Sequence, residues 1–269
     1  MSIRRRMLTM AGAKGEQIMN LPIGSIIKFS SGKTFILQAK NVDGHEPNSV
    51  TLCSEYIIED AFWGGADDPE QHVTESYLYS DLHKDIMPRY YNELSELEKR
   101  AIICRKFEVH TYESNFNSGV TLKVFFSPSV ESFFYIASLD EVRAKCEPLI
   151  DDHASQYPSY FTSGALGNYQ YSPYDPCDIR KKTRENGSSG SYFTTTTRAY
   201  SSGNPGGGWD LYVAVVGEDG LGMADEMQTW TRYNGMRGTK LDINSGIVPF
   251  CDIKGDSCVK QEGDYWVFC

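Results

Sequence analysis

The sequence predicts an α+β fold organised as one main domain, and three observations predict it. Residues 21–58 read as a meander of short strands. Residues 76–103 read as a pair of helices carrying their own start and stop signals. Residues 191–253 read as strand, glycine loop, strand, long polar excursion and closing strand. Strands and helices that fall in separate blocks imply segregated sheet and helix layers, not an alternating βαβ chain.

Residues 1–20 mix Arg, Met, Gly and Lys without a period and read as a docking arm ahead of a domain at 21–269. Strand patterning begins at LPIGSIIKF (21–29) and resumes in KTFILQAKN (33–41), with Ser30-Ser31-Gly32 as a tight hairpin between them. In NSVTLCSEYII (48–58), Val50, Leu52 and Ser54 alternate with Thr51, Cys53 and Glu55, the period of a strand. FWGGADDPEQHVTES (62–76) is rich in turn residues and reads as a loop.

Leu78, Leu82 and Ile86 recur at i, i+4 and i+8, which gives a first helix one apolar face. Pro88 is expected to end or kink it. Ser95 followed by Glu98 forms a capping box for a second helix, with Leu97, Ala101 and Cys104 on its buried face. CRKFEVHTY (104–112) and VTLKVFFS (120–127) are strand-like runs about the Asn117-Ser118-Gly119 turn. SLDEVRAKCEPL (138–149) reads as a short helix capped by Ser138, with Glu141 completing the box.

Residues 150–190 form the longest irregular stretch, and its tyrosines (Tyr157, Tyr160, Tyr169, Tyr171, Tyr174) call for a surface to pack on. SYFTTTTRAY (191–200) and WDLYVAVVGEDG (209–220) flank the loop SSGNPGGG (201–208), whose glycines exclude regular structure. In the second strand Trp209, Leu211, Val213 and Val215 alternate with Asp210, Tyr212, Ala214 and Val216, so one of these faces is core. GEDG (217–220) has the composition of a hairpin turn. GIVPFCDI (246–253) closes the block, and Tyr265 to Phe268 form a last strand.

Composition narrows the function. With 40% hydrophobic and 13% aromatic residues the chain is a folded globule. A net charge of −10 argues against nucleic acid as the main partner, and the one dense basic cluster, Arg4-Arg5-Arg6, reads as a solvated tail. No apolar run reaches the ~20 residues of a membrane span, and the N-terminus lacks the apolar core of a secretory signal. Seven cysteines without framework spacing are expected to be buried or idle thiols in a reducing cytoplasm, with no disulfide required for folding.

Catalytic signatures are missing. There is no phosphate loop, GxGxxG, HExxH or CxxC. The five histidines form no i, i+4 pair, and Asp67, Asp68, Glu70 and Gln71 do not match a Ca²⁺ loop and read as an acidic surface. Asp151, Asp152 and His153 read as a helix end. The expectation is therefore no metal, no cofactor and no enzyme. Trp230, Arg232, Tyr233 and Asn234 sit beside Gly235 in ADEMQTWTRYNGMRGTK (224–240), rigid aromatics next to adaptable polar groups, as in binding loops. A packed aromatic corner is the competing reading. With Tyr200 and Asn204 these residues make up the candidate receptor-binding set, expected to cluster on one exposed side.

The same order of elements resembles a family of domains of unassigned function found in tailed phages, prophages and gut Firmicutes. SYFTTTTRAY, WDLYVAVVGEDG and GIVPFC look like its aromatic strand, its strand ending in a Gly turn and its "GVRPA"-like closing strand. SVTLCSEYIIED (49–60) and SYLYSDLHKDIMPRYYNELSELEKRAII (76–103) resemble its upstream strand and helical pair, and both KVFFSPSVESF (123–133) and SLDEV (138–142) resemble its "kvFLLS-eEv" segment. MSIRRRMLTMAGAKG is similar to the N-termini of phage tail proteins bearing this domain. Two departures matter: Val248 stands where the family has Arg, and Thr194 to Thr196 where it has Trp-Leu-Arg, so whatever that Arg anchors is absent or replaced.

The resemblance implies a C-type-lectin-like or formylglycine-generating-enzyme-like α+β domain with short twisted antiparallel sheets, two or three helices and a long loop-rich C-terminal half. It implies a virion protein assembled in the host cytoplasm, tail-associated and used in host attachment. Its C-terminal loops would bind a bacterial surface glycan or protein, its arm would contact other tail subunits, and the protein would be a homo-oligomer that neither inserts into membrane nor binds nucleic acid. The alternative is a structural protein of the baseplate, tail tip or capsid surface without a receptor of its own.

Overall fold

A computed structural model of the chain describes residues 15–63, 77–115, 121–126, 129–142, 181–201, 209–218, 222–223 and 244–269. Its strands in chain order begin with β1 (Glu16–Gln17), β2 (Ile26–Lys28), β3 (Thr34–Lys40), β4 (Ser49–Ser54), β5 (Glu59–Phe62), β6 (Ile102–Ile103) and β7 (Arg105–Phe107). β8 (His110–Asn115), β9 (Thr121–Phe126), β10 (Val130–Ser132), β11 (Lys182–Thr183), β12 (Ser189–Gly190) and β13 (Tyr192–Ser201) follow. The last are β14 (Trp209–Val216), β15 (Gly222–Met223), β16 (Asn244–Ile247), β17 (Phe250–Lys254), β18 (Cys258–Glu262) and β19 (Tyr265–Phe268). Helices are few: α1 (Met87–Asn92), α2 (Glu96–Ala101) and α3 (Leu139–Val142). The fold is α+β with sheet predominating.

Two sheets carry the architecture. An eight-stranded sheet runs β1-β18-β19-β2-β3-β4-β17-β6, and a five-stranded sheet runs β15-β14-β13-β16-β5. Two of the chain's direct passages between them run side by side. β4 pairs antiparallel with β17 in the first sheet, and their continuations β5 and β16 pair antiparallel in the second. The crossing is stitched by Ser54 N donating to Pro249 O at 2.9 Å and Ile58 N to Ile247 O at 3.0 Å. GIVPFCDI is therefore two strands in two sheets, not one. Pro249 has no N–H to give a ladder, which suits it to the switch point.

Alternation along β4 is real, yet all six of its residues are buried. Val50 and Leu52 face the larger apolar core, while Cys53 belongs to a second cluster with Ile57, Tyr135, Tyr192, Val248 and Phe250. A central strand covered on both faces no longer shows a polar side. The helices seal the larger core through Leu82, Met87, Tyr90, Leu94 and Ala101.

Several elements match the sequence reading in their chemistry. Phe29 N donates to Lys33 O at 3.0 Å across the Ser30–Gly32 turn, where Gly32 has φ 87°. Ser95 and Glu98 make a reciprocal capping box, and Ser138 N donates to Glu141 Oε2 at 2.6 Å at the head of α3. Others are corrected. Pro88 lies in the first turn of α1, which begins at Met87 directly after a π-helical turn over Leu82–Ile86 in which Met87 N reaches Leu82 O, so the helical turns continue through it. The wider turn spares the carbonyl that a proline ring would strike. Leu97 is 45% exposed and Glu98 is buried in its place, while Ala101 is buried as expected. The arm boundary also moves: β1 pairs with β18, and Ile18 is fully buried in the larger core.

Candidate functional site

The candidate binding residues of the sequence lie in or beside the segments joining strands of the five-stranded sheet. Asn204, Trp230, Arg232, Tyr233 and Asn234 lie outside the described residues, as do residues 64–76 and 151–180 with their acidic and tyrosine-rich sequences. Tyr200 lies in β13 opposite Asp210 of β14. The register sets where the two segments are rooted. Residues 202–208 join Ser201 to Trp209, paired at one end of β13 and β14. Residues 224–243 leave Met223, which pairs with Val215, and return at Asn244, two residues before the Tyr192–Gly246 pair. Trp209 and Val216 are seven strand steps apart, roughly 23 Å. The roots therefore lie at opposite ends of the sheet.

The described residues form an open cleft of about 430 Å³ lined by Lys33, Thr34, Ser54, Tyr56 to Asp60, and Arg184 to Asn186. Three pieces of chain make it, the first being Lys33 and Thr34 at the start of β3. The β4–β5 connection supplies the floor, with Ile57 N donating to Thr183 O at 2.9 Å. The β11–β12 hairpin supplies one wall, turned at Asn186-Gly187, where Gly187 has φ 83°. Asn186 Oδ1 accepts from Ser188 N at 2.9 Å and from Ser188 Oγ at 2.7 Å, which fixes the turn. Lys182, buried at the hairpin base, donates from Nζ to Ser54 O at 2.6 Å and so ties hairpin to floor.

Charges in the cleft are paired across these pieces. Arg184 grips Asp60 with two nitrogens, Nη2 to Oδ1 at 2.6 Å and Nε to Oδ2 at 3.2 Å, and its Nη1 donates to Ser189 O at 2.7 Å. The hydrogen bonds to Asp60 hold the Arg184 guanidinium above its ordinary pKa. Glu59 accepts from Arg89 Nη2 at 2.5 Å and from the Tyr90 hydroxyl. Burial first, and then that bond to Glu59, raise the Tyr90 phenol far above its usual range. Lys33 pairs with Glu93 and lies 5.2 Å over the Tyr90 ring. Tyr56 stands on the rim, its phenol raised chiefly by the charge of Glu55, with Tyr265 and Glu185 adding to it. Both floor carboxylates are thus committed to arginines, which disfavours acid–base chemistry and favours recognition through fixed polar groups.

A buried polar network lies between the two sheets. Asp252 Oδ1 accepts from Thr51 Oγ1 at 2.7 Å and from the Tyr135 hydroxyl at 3.2 Å, and Asp252 Oδ2 is 3.0 Å from His45 Nδ1. Burial alone would raise the Asp252 carboxyl. The bond and charge of His45, the charge of Arg105 and the Thr51 hydroxyl outweigh it and hold the group below the usual carboxylate range. Arg105 pairs with Glu141 at 2.6 Å and stacks 4.4 Å over the Tyr135 ring. An Asp–His–hydroxyl set suggests a catalytic triad, but the His45 and Asp252 side chains are 0% and 1% exposed. No substrate reaches them, so the network is architectural.

Among the described residues no cluster of three His, Cys, Asp or Glu side chains is placed to hold a metal ion, and no helix is long and apolar enough to cross a membrane. The cleft was missed in the sequence because its walls come from segments about 130 residues apart. The one local signal was Asn186-Gly187, a hairpin dipeptide inside a stretch read as irregular. No family model, curated protein or solved structure matches this chain.

Proposed function

We propose that the protein is a tail-associated virion component of a phage or prophage that binds a glycan or protein on the bacterial surface. The observation supporting binding is the open cleft between the β4–β5 connection and the β11–β12 hairpin. Its charges are cross-paired and its rim carries Tyr56, Glu185 and Asn186. Fixed polar groups beside the apolar side chains of Ile57 and Ile58 suit recognition with little reorganisation. The tail association, and the C-type-lectin-like scaffold that goes with it, rest on the order of segments that resembles the phage and prophage family. Two surfaces share the binding role in this proposal: the cleft, and the loop residues Tyr200, Asn204, Trp230, Arg232, Tyr233 and Asn234.

The test is saturable attachment of the labelled full chain to a panel of Firmicutes and to their isolated cell walls. Trp230→Ala or Tyr233→Ala is expected to weaken attachment by about 2 kcal/mol, roughly 30-fold, if these are hot spots. Tyr56→Ala in the same assay reads the cleft. Variants that unfold place the aromatics in the core. Variants that stay folded and attach like the parent move the site elsewhere. A parent chain that attaches to nothing overturns the receptor reading. One observation favours the structural alternative: Phe62 is 55% exposed on β5, the edge of the five-stranded sheet, a position suited to a subunit contact. Co-assembly with tail subunits without cell attachment would establish that alternative.

A further inference from the structure

Cys258 and Cys269 lie directly opposite each other across the β18–β19 ladder, one step beyond the Val259–Phe268 pair. Cys269 N donates to Cys258 O at 3.1 Å, which makes this a hydrogen-bonded cross-strand pair. Such pairs hold their Cα atoms about 5.5 Å apart, inside the window a disulfide accepts. The two Sγ atoms are 2.8 Å apart and both residues are exposed. Gly15 closes over them: a Cβ built there would lie 2.0 Å from Cys258 Sγ and 2.8 Å from Cys269 Sγ. No side chain can stand at that position without displacing the thiols. Three features coincide: an exposed dithiol, cross-strand geometry that accepts a bond, and a glycine that leaves room above it.

We infer that Cys258 and Cys269 form a redox-active dithiol that closes reversibly into a cross-strand disulfide, clamping β19 to β18 next to the β1 edge strand of the eight-stranded sheet. The co-reactant is a small disulfide of the glutathione class. The Cys258 thiolate attacks one of its sulfurs, forming a mixed disulfide and expelling one thiolate, which takes up a proton. Cys269 then gives up its proton, and its sulfur attacks Cys258 Sγ, expelling the second small thiol. Two protein thiols and one small disulfide become one protein disulfide and two small thiols, so the protein loses two electrons and two protons to the reagent. The hydrogen bond to Cys258 holds the Cys269 thiol above its ordinary range. Among the other described cysteines, Cys104 is partly buried and stands alone on its strand connection, with burial the largest cause raising its thiol. Cys53 and Cys251 are buried, and burial is the largest cause raising both thiols. Neither is open to a small disulfide.

The test is to equilibrate the full chain in glutathione buffers from fully reduced to fully oxidised, then alkylate it and map the peptides by mass. The expected product is a single link between residues 258 and 269, reversed by dithiothreitol. The oxidised chain should melt roughly 5 °C higher, because closure restricts the unfolded chain, and amides of β18 and β19 should exchange more slowly. Cys269→Ser should instead accumulate a glutathione adduct on Cys258. Stable glutathione adducts on the parent would overturn the proposal. So would a link involving Cys53, Cys104, Cys146, Cys177 or Cys251, or thiols still reduced at the oxidised limit. The Cys258→Ser/Cys269→Ser double variant should keep the parent's reduced melting temperature and lose its response to the buffer. A double variant that still responds would also sink the idea.

Discussion

His45 Nδ1 and Asp252 Oδ2 meet 3.0 Å apart with both side chains sealed from solvent. They come from opposite ends of the sequence: His45 from the turn between β3 and β4, Asp252 from the middle of β17. β17 lies against β4 with Asp252 opposite Thr51, and this register brings the carboxylate to the imidazole. A buried carboxylate is costly unless every lone pair is used. Here Thr51, Tyr135 and His45 supply the partners and Arg105 supplies nearby charge. The network therefore specifies how β17 sits on β4.

Asp252→Asn should destabilise the protein by roughly 3 kcal/mol at pH 7, read from urea unfolding, because it removes the buried carboxylate that His45, Thr51 and Tyr135 are arranged around. The pH dependence has a definite sign. The folded-state pKa of Asp252 is lowered, so its ionised form stabilises the fold above the unfolded value of about 4. That contribution fades as pH falls through the lower folded value. The stability gap between parent and Asp252→Asn should therefore be full above about pH 5 and narrow below about pH 4. A gap that widens on acidification would show that another group dominates.

Local chemistry was legible in the sequence; long-range pairing was not. Ser95 with Glu98 and Ser138 with Glu141 announce their capping boxes within four residues, and the structure contains both. The Ser30–Gly32 turn is equally local. The crossing of β4–β5 and β16–β17 between sheets depends on partners about 190 residues apart, which no window of sequence can weigh. Leu97 was assigned to a buried face by its apolar character, but the first turn of α2 presents it outward while Glu98 turns in. The sequence pattern could not anticipate that, because Glu98's partner Ser30 is 68 residues away. The cleft and the Asp252 network escaped notice for the same reason.

Glu98 provides the second prediction. Its carboxylate accepts from Ser30 N at 2.6 Å and Ser95 N at 2.7 Å, and also from the hydroxyls of Ser30 and Ser95. It thus caps α2 and pins the β2–β3 hairpin to the helix layer while 3% exposed. Glu98→Gln keeps the shape but replaces one acceptor oxygen with a donor facing other donors. A loss of about 2 kcal/mol is expected, with faster amide exchange at Ser30 and Ser95. Ser95→Ala should cost less, about 1 kcal/mol, since it removes the cap and leaves the hairpin contact. Equal losses in the two variants would mean that the Ser30 bonds add nothing.

The N-terminal segment provides the third. Read from sequence, residues 1–20 could be removed with little effect, yet the last few of them belong to the sheet and core. Ile18 N donates to Ser257 O at 2.9 Å and Met19 N to Gly255 O at 3.0 Å. Ile18 is 0% exposed among core side chains. Met19 Cε lies 2.6 Å from where a Cβ on Gly255 would stand, so the methionine covers that glycine. Ile18→Ala in the full chain should cost about 3 kcal/mol, since an isoleucine cavity in a packed core relaxes only in part. Deleting residues 1–20 should cost at least as much, seen as a melting temperature lower by roughly 6–12 °C. If the deletion melts like the parent while Ile18→Ala does not, β18 has found another partner along its edge. If both melt like the parent, the segment is an arm after all.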